Sequence, residues 1–254
     1  MVFRLLRARW RHGSQAVPDP TTAMPDPMFR GFPDIAKEGA PSAEMIAACP
    51  GAALTVNPVA IDLGKCHLCG SCARAANSPI RLTNRHHLGQ TRRDALIVTA
   101  GTSFEEYHAR AEKGRDEIRR LFGRSLKLRS VSAAGCNACE MELNATTNAN
   151  FDMLRYGIDI VASPRHADAV IVTGPVSANM ADALEDTWNA TPAPKLLVLM
   201  GACAISGGLF AASPALDRRF FKDHAPDIYI PGCPPHPLTV VNAILHYLGR
   251  ENGR

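Results

Sequence analysis

The chain has 254 residues, 46% of them hydrophobic, with 19 glycines, 19 prolines and a formal net charge of +4. That length supports one large or two modest cores, and so mild a basic excess does not point to a nucleic-acid partner. No run approaches the roughly 20 apolar residues of a membrane-spanning helix, and the stretch from Met1 to Arg11 lacks the apolar run and cleavage site of a secretory signal.

Residues 1–12 interleave Val2, Phe3, Leu5, Leu6 and Trp10 with Arg4, Arg7, Arg9 and Arg11. As a helix this segment is basic and amphipathic, suited to an anionic membrane surface or a partner protein; the competing reading is a frayed basic tail. Residues 14–43, rich in Pro, Asp and Ala, read as an extended wrap. Between Ala47 and Asn84 the elements are short, with strands expected at Ala53–Val56 and Ile80–Thr83. Residues 103–122 are charged and helix-prone and read as a connector helix with Phe104, Tyr107, Ala111, Ile118, Leu121 and Phe122 facing inward. After Arg124, strand-type apolar runs follow at Leu126–Val131, Ile158–Ala162, Ala169–Thr173, Lys195–Met200 and Ile228–Ile230. Helical stretches at 138–154, 177–190 and 235–248 lie between or after them. This alternation predicts an α/β fold, a parallel sheet with helices on both faces.

The eight cysteines fall into two sets. In a cytoplasmic setting, patterned cysteines bind metal or do redox work more often than they form disulfides. Cys66-His-Leu-Cys69-Gly-Ser-Cys72 is a C-x2-C-x2-C run, and Cys49-Pro50 lies upstream. Ferredoxins with two clusters carry C-x2-C-x2-C-x3-C-P twice, and the fourth cysteine of each run ligates the other cluster. Counting back from Cys49 finds Met45, Ser42 and Gly39 where thiols belong. Counting forward from Cys72 finds Ala76 and Asn77 in place of Cys-Pro. All four missing ligands belong to one cluster, and Cys49, Cys66, Cys69 and Cys72 complete the other. Gly70 and Ser71 let the backbone approach a cluster and aim amides at its sulfurs. A zinc site also takes four thiolates, but its usual sign is two separate C-x2-C pairs. His67 reads as a packing residue.

The second set is Cys136, Cys139, Cys203 and Cys233. Each follows the carboxyl end of a predicted strand, where ligands of open α/β sheets bind. Gly135, Gly201, Gly207, Gly208, Gly232, Pro234 and Pro235 flank them, allowing sharp turns and close approach to a cofactor. The competing reading is a set of buried free thiols. Glu142 shares a helix face with Cys139 and is a candidate for proton transfer; Glu140 and Glu142 read equally as helix-start carboxylates. Arg165-His166 falls near the same sheet edge, as a cluster-tuning or partner-binding pair or as a cap.

Gly135-Cys-Asn-Ala-Cys139-Glu-Met-Glu142, Ser163-Pro-Arg-His-Ala-Asp168, Gly201-Ala-Cys203-x2-Ser206-Gly-Gly208 and Tyr229-Ile-Pro-Gly-Cys233-Pro-Pro together resemble the small subunit of energy-converting NiFe hydrogenases of the formate hydrogenlyase type, homologous to a subunit of respiratory complex I. The resemblance spans roughly residues 125–248. It implies a flavodoxin-like domain whose four cysteines hold the proximal 4Fe-4S cluster against a large subunit carrying a nickel–iron or quinone site. Complex I subunits have the first two ligands adjacent; here Asn137 and Ala138 intervene, as in the hydrogenase branch. Residues 1–95 are similar to the ferredoxin-type subunit of the same complexes, through Phe29-Arg-Gly-Phe32, Ala48-Cys-Pro50, Ala53-Leu-Thr-Val56 and Leu63-Gly-Lys-Cys66, with one cluster absent. The resemblance thus implies a fusion. Residues 1–95 form a ferredoxin-like α+β domain, 96–124 a helical connector and 125–254 the proximal-cluster domain. It further implies two 4Fe-4S clusters, docking on membrane subunits at the cytoplasmic face, and a catalytic centre on the partner. The alternatives are a complex I-like quinone oxidoreductase subunit and a zinc-bound scaffold. A flavin or nucleotide domain lacks its G-x-G-x-x-G or Walker-type loop.

Overall fold

The structure, a computed structural model, describes residues 2–13 and 16–250. The outermost residues of the 1–95 and 125–254 spans, and residues 14–15 of the predicted wrap, lie outside that range. Short antiparallel strands build the front half. β1 (Pro33–Ile35) pairs with β4 (Ile80–Leu82), and β3 (Val59–Asp62) lies between β2 (Leu54–Val56) and β5 (Ile97–Thr99). The wrap is irregular up to β1, where Phe32 and Ile35 are buried.

The back half is one five-stranded parallel sheet of β6 (Leu126–Ser132), β7 (Ile158–Ile160), β8 (Ala169–Thr173), β9 (Leu196–Met200) and β10 (Ile228–Ile230). The spatial order is β10-β9-β8-β6-β7. Counted within this sheet it is 2-1-3-4-5, the flavodoxin-like order, which reverses direction at β6 and β8. Every residue of β8 and β9 is buried, as a parallel sheet covered on both faces requires.

Alternate side chains divide between two cores. Val131, Val170, Val172, Leu197 and Leu199 pack with Phe32, Ile35, Leu54, Ile61 and Leu96 of the front half. Leu128, Ile171 and Val198 pack beneath helix Pro237–Tyr247, of which only His246 is not buried. The front half therefore covers one face of the sheet. At the edge, Gln90 and Tyr229 exchange backbone hydrogen bonds of 3.0 and 2.7 Å, and a Cβ on Gly89 would lie 2.4 Å from that of Ala243.

Three local expectations differ from what is seen. The connector holds two helices, Phe104–His108 and Asp116–Phe122. Ser103 and Glu106 form a capping box that starts the first, and Gly114 lies so close to the Tyr247 ring that a Cβ there would meet it at 2.8 Å. Leu121, expected inward, is 57% exposed, whereas Tyr107, Ile118 and Phe122 are buried. The helix expected over 138–154 ends at Ala145, because the Thr146 and Thr147 hydroxyls bond back to Leu143 O and Asn144 O.

The seam between wrap, front half and last helix holds a row of imidazoles in tilted and edge-on contact. His86 and His87 rings are 4.2 Å apart, His87 and His108 5.5 Å, and His108 and His246 5.3 Å. Asn242 Nδ2 donates to Pro20 O (2.7 Å) and lies 3.1 Å from His86 Nε2. Burial, then the neighbouring His87 and His236, holds His86 down to about 3; burial, then His108, holds His87 down to about 4. An unfolded imidazole takes up its proton near 6.5, so between these values the unfolded chain binds more protons. Stability at this seam is expected to fall as pH drops from about 6.5 through about 3 and then level off. Hydrogen exchange across Pro237–Tyr247 at pH 7 and pH 5 checks it; His86→Asn with His87→Asn should flatten the dependence.

Candidate iron–sulfur sites

Cys49 leaves helix Ala43–Ala47, its N–H bonded to Ile46 O at 3.1 Å. Its turn lies directly against the Cys66 loop: a Cβ on Gly51 would sit 2.3 Å from Lys65 O, so only glycine lets Cys49 approach. Asp62 shapes that loop from β3. Its carbonyl accepts from the Lys65 and Cys66 amides, and its carboxylate accepts from Gly64 N at 2.9 Å and from both Arg93 guanidinium nitrogens at 2.7 and 2.6 Å. Leu68 (φ +50°) and Gly70 (φ +77°) then turn the chain between the thiols. Arg30 donates to Leu68 O at 2.7 Å and Arg74 to Cys69 O at 3.0 Å, fixing both carbonyls.

Cys49, Cys66, Cys69 and Cys72 line one cavity, walled by Ala53, Leu54, Ile61 and Leu82. Amides point at its sulfurs: Ala53 N lies 3.3 Å from Cys49 Sγ and Leu68 N 3.4 Å from Cys66 Sγ. Burial pushes the Cys66 thiol up to about 12, and burial raises Cys72 as well. Burial also presses Cys69 upward, but the Ser71 hydroxyl and amide outweigh it and the net direction is down. His67 lines the same cavity as the thiols, and burial lowers its pKa.

The back set assembles at the carboxyl ends of β6, β9 and β10. Cys136 is exposed in a loop bent by Ala134 (φ +70°) and Asn137 (φ +69°), and Cys139 stands in the first turn of helix Ala138–Ala145. Glu140 Oε1 accepts from Ser132 Oγ and Thr173 Oγ1, both at 2.6 Å, lashing that helix to β6 and β8. Cys203 follows Gly201 in helix Ala202–Ser206. A Cβ on Gly201 would lie 2.6 Å from Cys139 Sγ, and one on Gly208 would lie 2.7 Å from Cys203 Sγ. Cys233, exposed, is held by Gly232 (φ +145°) and Pro234; Ala202 N donates to Gly232 O at 2.8 Å, knitting the two loops.

Electrostatics tie the four together. Cys139 is raised by burial first, then by Glu140, Cys203, Cys233 and Cys136; Cys203 is raised by burial, then by Cys233 and Cys136. Cys233 is raised by burial, then by Cys136, then by Cys69 of the front set. The loops that carry the two sets also meet. A Cβ on Gly64, in the front loop, would meet Ile205 Cγ2 of the Cys203 helix at 2.8 Å. Among the described residues no three His, Cys, Asp or Glu side chains converge on a point sized for a single ion.

Glu142, the expected partner of Cys139, is half-buried and raised by burial; the carboxylate coupled to Cys139 is Glu140. Arg165 and His166 lie exposed in the turn Pro164–His166 after the outermost strand, β7. Sequence reasoning missed Arg218, whose guanidinium donates to Pro175 O, Cys203 O, Ala204 O and Ile205 O at 3.0, 3.2, 2.7 and 3.2 Å. Between Asp217 and Arg219 it has the look of a surface charge, and nothing in the sequence separates it from one. Arg218→Leu removes all four of these bonds, leaving Cys203 O only the one from Gly207 N, and is expected to cost about 2–4 kcal/mol in denaturant melts, loosening Cys203.

A doubly wound α/β domain that gathers four free thiols at its carboxyl edge is the arrangement of an oxidoreductase subunit family. The chain belongs to the family of the 20 kDa subunit of NADH ubiquinone oxidoreductase, whose sequence profile matches residues 136–247. A probable membrane-bound hydrogenase subunit of Pyrococcus furiosus is 33% identical over 136 residues, 54% of this chain and 81% of that one. Formate hydrogenlyase subunit 7 of Escherichia coli is 40% identical over 126 residues, 50% of this chain and 49% of that one. NADH-quinone oxidoreductase subunit 6 of Thermus thermophilus is 37% identical over 121 residues, 47% of this chain and 66% of that one. The matched profile lies wholly after the front cysteines.

Proposed function

We propose that this chain is the electron-transfer subunit of a membrane-associated NiFe hydrogenase complex. Cys136, Cys139, Cys203 and Cys233 hold a proximal 4Fe-4S cluster, and Cys49, Cys66, Cys69 and Cys72 hold a second. Such clusters, when bound, supply one-electron exchange. The protein's own part is to set their environment through amide–sulfur bonds and burial and to hold the two sites adjacent. The observation that supports the reading is the contact between the two thiol-bearing loops: Gly64 of the front loop lies so close to the Cys203 helix that a Cβ there would meet Ile205 Cγ2 at 2.8 Å. Two modules follow, a ferredoxin-type front over roughly 1–95 and a proximal-cluster domain over 125–254, joined by 96–124 as in a fusion of two subunits.

Exposed Cys136 and Cys233 supply the docking face for a large catalytic subunit. Met141 (65% exposed), Leu209 (62%) and Phe210 (49%), close in sequence to Cys139 and Cys203, add apolar surface beside it. The complex sits at the cytoplasmic face of the membrane, with this chain peripheral; no helix among the described residues is long and apolar enough to cross a bilayer. The Cys136-Asn-Ala-Cys139 spacing favours hydrogenase over a quinone oxidoreductase. Iron, sulfide and zinc analysis of the anaerobically purified chain tests the ligand assignment. About eight irons per chain are expected from two cubanes; stoichiometric zinc with colourless protein overturns it.

A further inference from the structure

Helix Val2–His12 is regular, yet none of its residues is buried, and Phe3 and Trp10 are each 86% exposed. It ends at Gly13 (φ +63°), whose N–H bonds to Arg9 O, and the chain rejoins the body at Val17, where Val17 N donates to Asn150 O at 2.7 Å. An 11-residue helix packed on nothing is marginal in water, so its stability calls for an external surface. At 100° per residue, Val2, Phe3, Leu6 and Trp10 form an apolar stripe bordered by Arg9 on one edge and by Arg7, Arg11 and Arg4 on the other, with Leu5 outside it. The helix carries four arginines and His12 but no acid.

We propose that this helix lies in the plane of an anionic lipid bilayer. Phe3, Leu6 and Trp10 enter the acyl boundary, and the arginine stems extend so that the guanidinium groups meet the lipid phosphates. Lipid is the occupant that the charge pattern selects. The arginines have no carboxylate of their own chain on this helix, and flexible cations around an aromatic apolar stripe suit a fluid headgroup layer. The proposal deepens the reading above by naming a surface through which this chain itself reaches the membrane. It rests on that reading only for there being a membrane at hand.

Flotation of the full anaerobic chain with vesicles tests it, using phosphatidylcholine alone and equal parts phosphatidylcholine and phosphatidylglycerol. Binding to the anionic vesicles is expected, weakening in high salt. Arg7→Gln with Arg11→Gln should cut that binding about 30-fold, at about 1 kcal/mol per arginine. Phe3→Ser, Leu6→Ser and Trp10→Ser together should abolish it. Emission assigned to Trp10, by difference against Trp10→Phe, should shift to the blue. Equal binding to both vesicles, binding to neither, or unchanged binding by the triple variant overturns the proposal. So does lipid indifference combined with loss of the triple variant from the assembled complex, which would identify a protein groove instead. Iron content of the same samples reports on the cluster assignment independently of vesicle binding.

Discussion

Cys233→Ala is expected to strip the back cluster while leaving the front one in place. Cys233 is the sole ligand contributed by the β10 loop, and Gly232 and Pro234 fix where that loop stands. The other three thiols come from β6 and β9 and are held independently: Cys139 by the Glu140 lashing, Cys203 by the bonds of Arg218. A cubane with three thiolates and an exposed fourth corner is labile, so roughly half the iron is expected to go. The front set keeps all four thiols and its amide–sulfur bonds. Iron analysis with EPR of the reduced variant checks this, and electron exchange with the large subunit should drop to background.

Gly201→Ala should do nearly as much damage with every cysteine intact. The added Cβ would stand 2.6 Å from Cys139 Sγ, inside van der Waals contact, at a φ of +94° that side chains rarely adopt. Cys139 cannot retreat easily, since its helix is tied down by Glu140. Retention of the back cluster is expected to fall by about 10–100-fold, the range for supporting-residue changes at metal sites. Gly157→Ala is the control. It carries similar strain (φ +69°, with Arg124 O at 2.1 Å) but lies at the amino end of β7, across the sheet from the thiols. It should lower stability and leave cluster content in the folded protein unchanged.

The back half was largely readable because its strands announce themselves. Ala169–Thr173 and Ile228–Ile230 match the expected runs residue for residue; the first, covered on both faces, is a near-continuous apolar run. The thiols followed from the strands, each being placed by the loop after one. The front half was less legible. Pro33–Ile35 and Ile97–Thr99 are three-residue strands whose partners are far away in sequence, so local pattern does not reveal them. Leu121 fits an amphipathic stripe only if residues 103–122 form one helix; two shorter ones place it outside. The glycines were recognisable as a class, but that Gly51 makes room for Lys65 O and Gly201 for a sulfur depends on contacts between loops distant in the chain. Helix periodicity pointed to Glu142 as the partner of Cys139, whereas the hydroxyls of Ser132 and Thr173, distant in the chain, tie Glu140 to the site.

Two clusters close enough to act as one conductor should sense each other's spin. EPR of the dithionite-reduced full chain measures that directly. Two signals are predicted, each broadened by the other's spin, with the front signal sharpening in Cys233→Ala. A single unbroadened signal in the unaltered chain, or front thiols that alkylate freely in the native protein, would contradict it.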